Sequence, residues 1–118
     1  MFAGDLTDNG PRDAYRHCMW SGMLTLELGA GEAKGFTDRH EDGSGNPVSA
    51  MAQDLFNNRV GRAFAAKIER NEKPDNQAAL SNMCLAAVNS GELVVGGFDS
   101  PDDYLPEDLL SDLRKFQR

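Results

Sequence analysis

Apolar residues recur along this chain at intervals of three and four, the spacing of helices with one buried face. Gly, Pro, Asn and Asp interrupt that pattern in four places: TDNGP (7–11), EDGSGNP (41–47), NEKPDN (71–76) and GGFDSPDD (96–103). These are the residue types that break regular backbone for steric reasons. The first predicted helix opens at Pro11, where a missing N–H costs nothing, and stops before Gly29. A shorter one covers about 31–40 and places Ala33, Phe36 and His40 on one side. A third runs from Ser49, a good N-cap residue, to about Glu69. A fourth spans about 77–90, capped by Asp75 or Asn76 and ended by Gly91. ELVV (92–95) favours extended backbone but has no second strand to pair with, so it is read as a short extended segment. The last helix starts near Pro106 and carries Leu109, Leu110, Leu113 and Phe116 as its apolar stripe. The expected fold is all-α: one compact domain of about five helices over residues 1–118, with short links and no internal repeat.

Two of these helices set polar residues where apolar ones belong. At about 100° per residue, Asp13, His17, Trp20, Leu24 and Leu28 fall on one stripe. If Trp20 and Leu24 face the core, Asp13 and His17 face it too, and their i, i+4 spacing lets them touch. A carboxylate beside an imidazole orients it and raises its basicity, as a general base requires. In AMAQDLFNNRVGRAFAAKI (50–68), Asp54, Asn57, Asn58, Gly61, Ala65 and Ile68 share a second such face. Asn is a poor helix-interior residue because its amide competes with the backbone. Gly61 costs about 1 kcal/mol against Ala in a helix; what it permits is close approach by a neighbour. Arg62 lies at the edge of this face and could pair with Asp13, Asp54 or an anion. His40, followed by Glu41, is placed inward with Ala33 and Phe36. The expected catalytic set is therefore His17, Asp13, His40 and Asp54, with Arg16, Asn57, Asn58, Arg62 and Glu41 around a substrate. The bland alternative is a buried polar network that only locks helices in register.

Composition narrows the classes. The chain has 118 residues, 40% of them hydrophobic, which allows a real core. Its net charge of −7 opposes binding to nucleic acid, which relies on Lys and Arg neutralising phosphates. No run of apolar residues is long enough to span a bilayer, and MFAGDLTDNG lacks the basic and apolar regions of a signal peptide. The expected location is the cytoplasm, or outside the cell by a route without a cleaved signal, with the sequence as part of a larger secreted chain. Cys18 and Cys84 are read first as two buried reduced thiols, with a disulfide as the alternative.

Other chemistries fit less well. DGSGN (42–46) begins like a calcium loop, but Pro47 and Gln53 stand where that loop needs Gly and Glu. His17 and His40 sit on different helices with no HxxxH or HExxH spacing, so no metal and no cofactor is expected. Cys18 points away from His17's side, which argues against a Cys–His nucleophile. No phosphate loop, GxSxG elbow or CxxC is present.

DAYRHCMWSGML, GAGEAKGFTDRHE, AMAQDLFNNRVGRAFA and LAAVNSGELVV together resemble a small helical domain of bacterial and phage proteins, also found at the C-terminal ends of polymorphic toxins. Its pattern is D-A-[FY]-R-H…W, then H-E, then D-L-x-N-N-x-x-G-R, and the resemblance covers about residues 11–95. It implies roles for Asp13, Arg16, His17, His40, Glu41, Asp54, Asn57, Asn58, Gly61 and Arg62. A fainter similarity is to short secreted phospholipases with an Arg-His-Asp run; here Cys18 replaces the Asp. The implied function is a hydrolase-like effector or toxin domain acting on cell-envelope lipid or peptidoglycan, with a cognate immunity protein as partner. The alternative is a non-catalytic interaction module of a phage or secretion system.

Overall fold

The computed structural model describes residues 10–43, 48–71, 76–95 and 105–116. They form five helices: α1 (Pro11–Leu28), α2 (Ala30–Asp42), α3 (Val48–Asn71), α4 (Asn76–Ser90) and α5 (Glu107–Phe116). No strand occurs among the described residues. The weighed calcium-loop residues 44–47, Asp75 as a cap, and the turn at 96–103 lie outside them.

Local chemistry sets the helix ends. Pro11 occupies the first turn of α1, after Gly10. Gly29 alone joins α1 to α2, at φ +90°, a region that favours glycine. Its N–H donates to the Thr25 carbonyl and its carbonyl accepts from Ala33, so it closes one helix and opens the next. Gly91, at φ +85°, ends α4. The N–H groups of Glu92 and Leu93 then fold back to the Ala87 carbonyl, and Leu93 is buried. Residues 92–95, expected to be extended, are instead irregular with a bend at Leu93, and pair with no strand among the described residues.

α3 is the hub, in contact with all four other helices, and α1 shares the largest interface with it. The two approach closely because small residues meet. A Cβ built on Gly61 would collide with the Cys18 carbonyl oxygen and Ser21 Oγ. One built on Gly22 would lie 2.7 Å from Leu80 Cδ2 and 3.1 Å from the Gly61 carbonyl oxygen. Ser21 Oγ donates to the Asn58 carbonyl at 2.8 Å, fixing the crossing.

This close packing corrects two expected faces. The innermost row of α1 is Asp13, Ala14, Cys18, Ser21, Gly22 and Thr25, rather than the row through Trp20, Leu24 and Leu28. Leu28 is 43% exposed. A large side chain on the inner row would hold the backbones apart. On α2 the buried residues are Ala33, Thr37 and Glu41; Phe36 is 48% exposed, and His40 is exposed rather than inward. The buried row on α2 follows i, i+4, i+8, where i, i+3, i+7 was expected.

Two apolar cores flank α3. One joins α1, α3 and α4 through Ala14, Cys18, Ile68, Leu80, Cys84 and Ala87. The other seats Leu109, Leu110 and Leu113 of α5 on Met51, Ala52 and Leu55. Lys34 bridges Asp38 and Asp112, and Arg59 pairs with Asp108, along the edge of α5. Cys18 and Cys84 form a disulfide between α1 and α4, correcting the expected free thiols. α4 packs on α1 so that the two Cα atoms are 5.9 Å apart, within the range a bridge spans. Among the described residues, no helix is long and apolar enough to cross a membrane.

Helix propensity alone favours Gly61→Ala by about 1 kcal/mol. The collision with Cys18 and Ser21 opposes it, and overpacking of this kind costs about 1–3 kcal/mol. Urea denaturation should therefore show a less stable variant; a gain in stability would mean that the helices do not meet at this point.

Candidate acid–base site

His17 lies one turn after Asp13 on α1 and points toward α3, where Asp54 and Asn58 are also one turn apart. Glu41 arrives from the last turn of α2. Three helices thus deliver three carboxylates and an amide to one imidazole. Nδ1 of His17 is 3.1 Å from Asn58 Oδ1 and 3.9 Å from Glu41 Oε1. Nε2 is 3.3 Å from Asp54 Oδ1 and 3.7 Å from Asp13 Oδ1. The 3.1 Å contact is an Nδ1–H donation to Asn58 Oδ1 in the tautomer that leaves Nε2 free as a base.

The cluster is buried but not sealed. Asp13, Glu41 and Asp54 are buried, while the His17 side chain retains 11% exposure. An open cavity of about 410 Å³, lined by Arg16, His17, Trp20 and His40, reaches the imidazole. Trp20 stands edge-on to His40, with ring centroids 5.0 Å apart, and edge-on to His17 at 6.2 Å. Arg16 is mostly exposed and donates to Asp13 Oδ1 at 2.9 Å.

Electrostatics in this hollow penalise charge. Burial, then the neighbouring Glu41 and Asp13, push the Asp54 carboxyl up to about 9. Burial also raises Glu41 to about 7, against a hydrogen bond with Asp54 that lowers it. Burial lowers His17, and the Asp13 carboxylate partly offsets this. The arrangement suits proton transfer: a neutral imidazole and carboxyls held in their protonated form share a small space. A metal ion is the other way to balance such a set. Asp13, His17 and Asp54 each present one ligand atom, all within 4.8 Å of one another.

The structure brings together Asp13, His17, Asp54, Asn58 and Glu41, with Arg16 and His40 on the cavity wall. Two expected residues stand apart. Asn57 uses its side chain on Val94, donating to its carbonyl and accepting from its N–H, both at 2.9 Å. It pins the segment after α4 to α3. Arg62 pairs with neither Asp13 nor Asp54; its charged neighbours are Asp38, Arg59, Asp112 and Asp108, on the side of α2 and α5. It lies one position beyond Gly61, which turns its side chain from the His17 row toward α5. Trp20, expected to face the core, forms a cavity wall instead. Its place one turn after His17 was the available signal.

The match to a known family model covers residues 1–92, described as a domain of unknown function, DUF6973. The chain belongs to the DUF6973 family. No curated protein and no solved structure matches it significantly. The DUF6973 match takes in α1 to α4 and every residue of the His17 cluster, and α5 lies beyond it.

Asp54 and Glu41 hold protons in the folded state that an unfolded chain releases near pH 4. Their contribution to stability is therefore present at acid pH and is lost as pH rises through about 7 for Glu41 and about 9 for Asp54. Burial lowers His17, so its contribution has the opposite sign and is gained as pH rises through the ordinary histidine range; Arg16 and Asp13 face the same groups. Chelator-treated protein should unfold at progressively lower urea concentration between about pH 5 and pH 9. Asp54→Asn should flatten that dependence; an unchanged slope would show that Asp54 is ionised throughout.

Proposed function

We propose that this DUF6973 chain is a hydrolase-like effector domain in which the His17 cluster activates water against a substrate in the neighbouring cavity. The observation that carries this reading is the position of His17. Its Nε2 lies between Asp54 and Asp13, and its ring forms part of an open cavity wall. An attacking water loses its proton to Nε2 of His17, and the neighbouring Asp13 carboxylate stabilises the imidazolium that forms. Asn58 holds the ring in register through Nδ1.

The cavity lining supports a reading of the substrate class. Arg16 supplies a guanidinium for an anionic group, and Trp20 and His40 supply flat faces for an apolar or sugar portion. Envelope lipid and peptidoglycan both combine such parts, and the resemblance to toxin C-terminal domains favours that target. A cognate immunity protein would block the same cavity. The competing reading, a non-catalytic interaction module, draws on Asn57, whose polar side chain is wholly architectural.

The test is expression of wild type and His17→Ala in bacteria, each with and without an export leader. Growth and thermal unfolding are followed in parallel. Exported wild type should arrest growth, while His17→Ala should be harmless and retain the helical circular dichroism of the wild type. Harmless wild type in both compartments, or a toxic His17→Ala, would reject the hydrolytic reading.

A further inference from the structure

The two sides of the His17 ring are unlike. Asn58 Oδ1 lies 3.1 Å from Nδ1, and the tautomer with its proton on Nδ1 satisfies that side of the ring. Nε2 therefore presents a lone pair, and what it faces is more electron density: Asp54 Oδ1 at 3.3 Å and Asp13 Oδ1 at 3.7 Å. Asp54 Oδ1 is buried and has no hydrogen-bond partner. Three donor atoms from two helices thus converge on one point, all within 4.8 Å of one another, where a cation would take the place of the proton a neutral Asp54 holds.

We propose that Asp13, His17 and Asp54 bind one divalent first-row transition cation, zinc or manganese, beside the cavity. Ligand atoms at about 2.0–2.2 Å from a shared ion lie about 3–3.6 Å apart, close to the two separations here. One imidazole nitrogen with two carboxylate oxygens suits zinc or manganese better than calcium or magnesium, which prefer all-oxygen shells. The Nδ1–H to Asn58 bond is the kind of outer contact that fixes a metal-bound histidine. Arg16 touches the same Asp13 oxygen, but its side chain is 71% exposed and can yield. The remaining coordination positions would open toward Arg16, Trp20 and His40. The cation's use in hydrolysis rests on the reading above: it would supply a water of lowered pKa, and His17 would then hold the ion while a carboxylate takes the proton. Binding itself does not depend on that reading.

The experiment uses the full chain, stripped with chelator and titrated separately with zinc chloride and manganese chloride. Calorimetry reports affinity and stoichiometry, and electron paramagnetic resonance reports bound manganese. Wild type should show a single site. Asp54→Asn and Asp13→Asn should each weaken binding at least about tenfold, and Asn58→Ala by about 10–100-fold. Arg16→Gln should bind at least as well as wild type. Circular dichroism checks each fold; should Asp54→Asn not fold, Asp13→Asn and the cobalt absorption spectrum of wild type carry the test. No binding at millimolar metal, or binding indifferent to Asp13 and Asp54, would overturn the site. His17-dependent growth arrest without metal binding would remove the cation and leave the hydrolytic reading. Metal binding by a protein that harms no cell would do the reverse.

Discussion

The close crossing of α1 and α3 is the constraint on which the site depends. Backbone meets backbone where Gly61 faces Cys18 and Ser21, and no side chain larger than hydrogen fits at Gly61 without displacement. Ser21 ties the crossing by donating to the Asn58 carbonyl. Within two turns on each helix, the same approach sets His17 against Asn58 and Asp54. With the helices spaced by ordinary Leu-sized side chains, at about 8–10 Å between axes, these short polar groups would sit farther apart.

Such a cluster is a poor way to stabilise a fold. Burial disfavours charge on three carboxyls around one imidazole, and their mutual repulsion adds to the cost. The surrounding architecture offsets it. A disulfide ties α1 to α4 beside His17, and α5 covers the far side of α3 with three leucines. Asn57 anchors the segment after α4 on α3. The conflict is therefore concentrated in one place and held there by conventional packing.

The α3 half of the site was legible in the residues themselves. Asp54, Asn57, Asn58, Gly61, Ala65 and Ile68 share a buried face, as their periodicity implies. Asparagines and a glycine inside a helix flag that face because they work against helix formation. The α1 and α2 faces were harder to read. Periodicity orders residues around an axis, but hydrophobicity selects the wrong row when the tightest contact is made by small ones. Trp20 and Leu28 outweighed Ala14, Ser21 and Gly22 on α1, and Phe36 outweighed Thr37 on α2. Glu41 then emerged as the inward carboxylate and His40 as a wall residue. Arg62 and the disulfide depended on how α5 and α4 pack, which no local pattern encodes. Asn57 looked like Asn58 by sequence; only the path of residues 92–95 separates their roles.

Nitrogen-15 NMR of the histidine rings tests the central geometry most directly. His17 should carry its proton on Nδ1, bonded to Asn58 and protected from exchange with water. Its ring should also show cross-relaxation to the side chains of Asp54 and Asn58. Ring protons exchanging as freely as those of an exposed imidazole, with no contact to α3, would contradict it.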